Sequence, residues 1–174
     1  MKVAILGSGP TRILDLPQRG FDHTISVGGG CLEGEWDYLF CTDPVGYKYF
    51  ALPAKRGAQL VVTDKMVKLA FRAGKKIPKS RILWQRPMLY VPNVHKRPVV
   101  RFAGPQAAYY AMVELGATEI HLTGCDCFDM DGGKYSKQVT GWNDLIEEGK
   151  RLGCTITREP YENSSSPIRE ESIL

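Results

Sequence analysis

Two short stretches of this chain carry residue types suited to chemistry at a bound anion. The first is Gly7-Ser8-Gly9-Pro10, set directly after the apolar run KVAIL at residues 2–6. Glycine lets a ligand come close to the backbone. The N–H groups of Ser8 and Gly9, near a following helix N-terminus, are suited to holding a phosphate. Ile13 and Leu14 follow Thr11-Arg12, so the spacing is not G-x-G-x-x-G, and no Gly-Lys-Ser/Thr completes a Walker loop. A nicotinamide-dinucleotide site is therefore disfavoured. A plain structural turn is the alternative reading.

The second stretch is TGCDCFDMDGGKY at residues 123–135. Gly124 would admit a base or ribose to the backbone. Asp126, at the end of an apolar run, would accept hydrogen bonds from ligand hydroxyls. Asp129 and Asp131 are oxygen donors for a hard cation. An EF-hand register places Cys127 and Gln138 at its first and last positions, which excludes that loop. An Asp/Gly turn is the bland alternative. His121, Cys125 and Cys127 have no recognised zinc spacing, so no metal centre is expected.

The five cysteines are odd in number and form no Cys-x-x-Cys, which points to free thiols and a reducing compartment. Of the three histidines, His95 lies in the basic segment NVHKRP and is the candidate to act on an anionic ligand. His121 lies inside an apolar run and reads as a hydrogen-bonded core residue.

The net charge of +4 is unevenly spread. Residues 55–101 hold thirteen Lys or Arg against one acid, Asp64, whereas the remainder holds ten basic and eighteen acidic residues. The middle of the chain thus offers a positive surface to a nucleotide, a nucleic acid or a phosphorylated sugar. A solvated basic face is the alternative. No apolar run approaches the ~20 residues that span a bilayer. The start lacks a signal-peptide pattern, so a cytoplasmic chain is expected.

These candidates need a scaffold. Apolar runs at residues 2–6, 23–30, 36–44, 58–65, 119–124 and 154–157 read as strands. Helices are expected over 66–73, from Pro105 to a stop at Gly116, and over 142–152 with a stop at Gly153. Residues 80–92 mix strand formers with Pro87 and Pro92 and read as irregular or edge chain. Helix-then-strand units of this kind build an α/β domain with a mainly parallel sheet. It would span residues 1–160, with a mobile tail over 161–174. Gly or polar residues follow nearly every strand, so distant positions would converge on one crevice at the strands' carboxyl ends.

The opening VAILGSGPTRILDLP, the segment YLFCTDP and the unit GPQAAYYAMVELGATEIHLTGCDCF…KY together resemble the bacterial lipooligosaccharide sialyltransferase family. They are also similar to a wider group that includes archaeal pterin pyrophosphokinases. The resemblance covers most of the chain through short motifs. It implies a single Rossmann-like domain that binds a cytidine-monophosphate sugar as donor. Gly7, Ser8, Gly9 and Pro10 would then face the phosphate. Asp43 stands where the family has an Asn near the donor. Gly124, Cys125, Asp126 and Cys127 would surround ribose and base, and Tyr135 would help the phosphate leave. The family's base His has no counterpart in SKQVTGWND, its Thr-Ser pair is Ala103-Gly104 here, and its lid segment is shorter.

The leading expectation is a small nucleotide-sugar-dependent glycosyltransferase. The first alternative is a pyrophosphokinase or nucleotide-phosphate transferase with Asp43, Asp64 and Asp126 near Mg²⁺. The second is a non-catalytic module that binds an anion or nucleic acid.

Overall fold

The computed structural model describes residues 1–9, 11–13, 15–41, 58–62, 68–69, 71–74, 103–125 and 136–159. Six strands form one sheet: β1 (Lys2–Leu6), β2 (His23–Val27), β3 (Tyr38–Cys41), β4 (Gln59–Val62), β5 (Glu119–Thr123) and β6 (Thr155–Arg158). Their order is β4-β3-β2-β1-β5-β6, and every neighbouring pair is parallel. This is a Rossmann-like α/β arrangement. The chain builds outward from β1 to β4, then returns to lay β5 on the other side of β1. The order of strands therefore reverses between β1 and β5, which is where such sheets open a crevice beyond their carboxyl ends.

Two helices cover one face: α1 (Ala103–Val113) and α2 (Ser136–Arg151). Val3, Ile5, Ile25, Phe40, Val61, Ile120, Leu122 and Ile156 point to them and form the main core. α1 is apolar almost all round, with Pro105 through Met112 buried. That suits a helix packed on β1, β2, β3 and α2 together. α2 is amphipathic: Trp142, Leu145 and Ile146 are buried while Asn143, Glu147 and Lys150 are exposed. Gly116 and Gly153, at φ 70° and 73°, end the chain after each helix as the sequence predicts.

The opposite face carries Ala4 and Leu6, covered by Leu16 with Ile13 and Phe21 from the β1–β2 connection. Parallel register places Thr24 and His121 beside Ala4, and Ser26 and Thr123 beside Leu6. This face is thus more polar than the helix-covered one.

Two boundaries differ from the sequence reading by more than two residues. Residues 28–30 do not extend β2; Gly28–Leu32 form a 3₁₀ turn. α2 begins at Ser136, six residues before the expected start. Residues 68, 69, 71 and 72 are helical within the expected 66–73 segment and residue 73 is a turn, whereas 66, 67 and 70 lie outside the described residues, as do 80–92 and the tail. Among the described residues no helix is long and apolar enough to cross a membrane.

Candidate functional site

The crevice at the strand-order reversal is built by backbone meeting backbone. Gly7 N–H donates to Thr123 O at 2.8 Å, and Gly9 N–H donates to Gly124 O at 2.8 Å. A Cβ on Gly7 would stand 2.2 Å from Gly124 O, and one on Gly30 would stand 2.6 and 2.7 Å from the carbonyls of Leu6 and Gly7. Glycine is required here because the ends of β1, β5 and the turn after β2 close on one another. The close approach expected for a ligand at Gly7 is taken by Gly124. The Gly9 N–H, expected to face a phosphate, is already satisfied. Ser8 is exposed, and its N–H has no partner among the described residues.

Thr11 and Thr123 lace the same junction. The buried Thr123 hydroxyl accepts from Ile13 N–H at 2.6 Å and donates to Thr11 O at 3.1 Å. Gly124, at φ 64°, donates its N–H to the Thr11 hydroxyl at 3.2 Å. Cys125 Sγ lies 4.0 Å from Ile5 O. The loop after β1 is therefore held against the end of β5 at Gly7, Gly9, Thr11 and Ile13.

A cation stands at the mouth of this junction. Arg12 Nη1 donates to Ser8 O at 3.0 Å, while Nε and Nη2 reach the two carboxylate oxygens of Glu33 at 2.9 and 3.2 Å. Arg12 Cβ is the first atom that a side chain on Gly124 would meet, at 2.8 Å. Arg12 is 34% exposed and Glu33 46% exposed, so both are open to solvent.

Among the sequence-predicted site residues, Gly7, Ser8, Gly9, Gly124 and Cys125 come together here. Pro10, Asp43, Asp126, Cys127, Tyr135 and His95 lie outside the described residues, as do Asp64, Asp129 and Asp131. Of the thirteen basic residues in 55–101, Lys68 and Arg72 are described, and both are exposed. Sequence reading missed Thr11, Arg12, Glu33 and Thr123. An Arg soon after Gly-x-Gly-Pro is a signal that was there to use; its pairing with a Glu in another loop was not.

His121 lies in the middle of β5, on the sheet face that carries Ala4 and Leu6. Its Nδ1 is 3.0 Å from Thr157 Oγ1 and its Nε2 is 2.8 Å from Glu159 Oε1. Phe21 stacks on the ring, with centroids 5.6 Å apart. His121 is a hydrogen-bonded, largely buried residue, as expected. Among the described residues Cys31, Cys41, Cys125 and Cys154 form no disulfide. No cluster of His, Cys, Asp or Glu suited to a metal ion occurs among the described residues.

Comparison of the chain with family models, with curated proteins and with solved structures returned no significant match.

Proposed function

We propose that this protein binds the phosphate of a nucleotide at the carboxyl ends of β1, β2 and β5, as a small nucleotide-sugar-dependent glycosyltransferase. One observation carries the reading. Past the strand-order reversal Ser8, exposed and with no N–H partner among the described residues, is bonded through its carbonyl to the half-exposed guanidinium of Arg12, beside the glycine backbone of the junction. Backbone N–H and guanidinium groups are the donors that phosphate oxygens take best. The donor class, a cytidine-monophosphate sugar, rests on the sequence resemblance. In that reading the cations offset charge on the departing phosphate, which is how electrostatic catalysis lowers the barrier.

The test is thermal unfolding with cytidine, adenosine and guanosine monophosphates, cytidine-monophosphate sugar and pyrophosphate, each with and without Mg²⁺. A ligand at about a hundred times its Kd adds ~2.7 kcal/mol, which a thermal scan resolves. Metal-independent stabilisation led by cytidine nucleotides is the expected result. A strict Mg²⁺ requirement would favour the pyrophosphokinase alternative. No response to any nucleotide, with salt-sensitive nucleic-acid binding, would favour the interaction module.

A further inference from the structure

We infer that Glu33 is an internal competitor for the anion-binding guanidinium of Arg12, and that it sets how much negative charge a ligand must bring. The inference rests on the phosphate-binding reading above and adds a selectivity residue to it. Arg12 presents two parallel N–H donors to Glu33, at 2.9 and 3.2 Å. That fork matches a carboxylate and a phosphate alike, so the carboxylate occupies the place that two phosphate oxygens would take.

The surroundings fix the two partners unequally. Glu33 N–H donates to Gly30 O at 3.3 Å, and Gly30 is locked beneath the carbonyls of Leu6 and Gly7. The Glu33 backbone is therefore tied to the end of β1, while its half-exposed side chain can turn away into water. Arg12 keeps a third bond, from Nη1 to Ser8 O at 3.0 Å, whether or not Glu33 stays. The guanidinium thus remains at the mouth when the carboxylate leaves. A pair this exposed contributes little to the fold, so releasing it costs little.

Exchange has a sign. With Glu33 in place the Arg12 charge is already balanced, so a monoanion gains nothing by replacing one carboxylate with another. A phosphate dianion or pyrophosphate brings more charge than Glu33 and displaces it. Glu33 therefore selects multiply charged phosphates over the monoanions that any cell contains in excess.

The experiment is titration calorimetry with cytidine monophosphate, inorganic pyrophosphate and acetate on the native chain, Glu33→Gln, Arg12→Gln and Arg12→Lys. Urea unfolding of each variant confirms that it is folded. Glu33→Gln keeps shape and removes the competing charge. It should bind pyrophosphate and cytidine monophosphate up to about fivefold more tightly, the most that releasing an exposed ion pair returns, and its binding should now be weakened by acetate. Arg12→Gln should lose about tenfold or more, and Arg12→Lys should fall between, because the charge stays and the fork is lost. If the native chain binds phosphates but Glu33→Gln binds them no better, or Arg12→Gln binds them equally well, the competitor role is overturned and the binding reading stands. If neither the native chain nor Glu33→Gln binds any phosphate, both fall.

Discussion

At the scale of single residues, the glycines of the crevice do different work. Gly7 and Gly29 are both near the candidate phosphate, yet their neighbours differ in hardness. A Cβ on Gly7 meets the Gly124 carbonyl oxygen at 2.2 Å and its carbon at 2.7 Å, both atoms of the backbone carbonyl that accepts the Gly9 N–H. A Cβ on Gly29 meets the Ser8 Cβ at 3.3 Å, and Ser8 is exposed and able to give. Gly7→Ala should therefore cost about 3 kcal/mol or more, because β1 and β5 must part to admit one methyl group. Gly29→Ala should stay within about 1 kcal/mol. Urea midpoints of the two variants check the contrast. Similar losses would mean that the junction between β1 and β5 yields more easily than its geometry implies.

At the scale of elements, α1 and α2 bury ionisable groups against the sheet, and this couples their packing to alkaline pH. Burial pushes the Cys154 thiol from 9.0 up to about 11 and, with smaller effects from Tyr38 and Glu114, the Tyr110 phenol from 10.0 up to about 12. In each case the folded value is raised above the unfolded one. The stabilising contribution is therefore complete below the unfolded pKa and is lost as pH rises through the folded one. Cys154 gives a window from pH 9 to about 11, and Tyr110 one from pH 10 to about 12. Across its window each group lowers stability by at most about 1.4 kcal/mol per pH unit. Cys154→Ala should flatten the first part of the fall and Tyr110→Phe the later part, measured by urea unfolding at stepped pH; slopes unchanged from the native chain would refute the assignment. The elements themselves were largely legible in the sequence. A continuous apolar run marked β1, because a strand covered on both faces needs no alternation, and the order of helix, Gly116 stop and strand marked β5. Gly116 and Gly153 marked the helix stops. The early start of α2 was not legible, since residues 136–140 are mostly polar and Gly141 follows. The turn at Gly28–Leu32 was also hidden, because its cause is tertiary: Gly30 slides beneath the carbonyls of β1. In the crevice, the glycines were visible, whereas the Arg12–Glu33 pair required knowing that β1 and β2 are neighbours.

At the scale of the whole molecule, the two faces of the sheet are held by different means. One face is sealed by α1 and α2 through a broad apolar core. Among the described residues, the other is covered near β1 by Ile13, Leu16 and Phe21, a much smaller apolar group. What joins that cover to β5 and β6 is polar. His121 of β5 bridges Thr157 of β6 at 3.0 Å and Glu159 just beyond it at 2.8 Å. Glu159 also reaches Arg19 at 3.7 Å, and Phe21 lies on the His121 ring. Arg19 and Phe21 belong to the β1–β2 connection, so this cluster clasps that connection to the far side of the sheet. Removing the ring should then loosen the connection more than it loosens the helices. His121→Ala is expected to cost about 1–3 kcal/mol, the scale of leaving largely buried partners without their hydrogen bonds. Glu159→Gln, which keeps a hydrogen-bonding side chain, should cost less. Hydrogen exchange resolves the location. The amides of Gln18 and Asp22, which donate to Asp15 O and Lys2 O, should exchange faster in His121→Ala. Those in the middle of α1 should follow only the change in global stability. A uniform rise across α1 and the 15–22 connection would show that the cluster supports the domain as one unit and does not act as a local clasp.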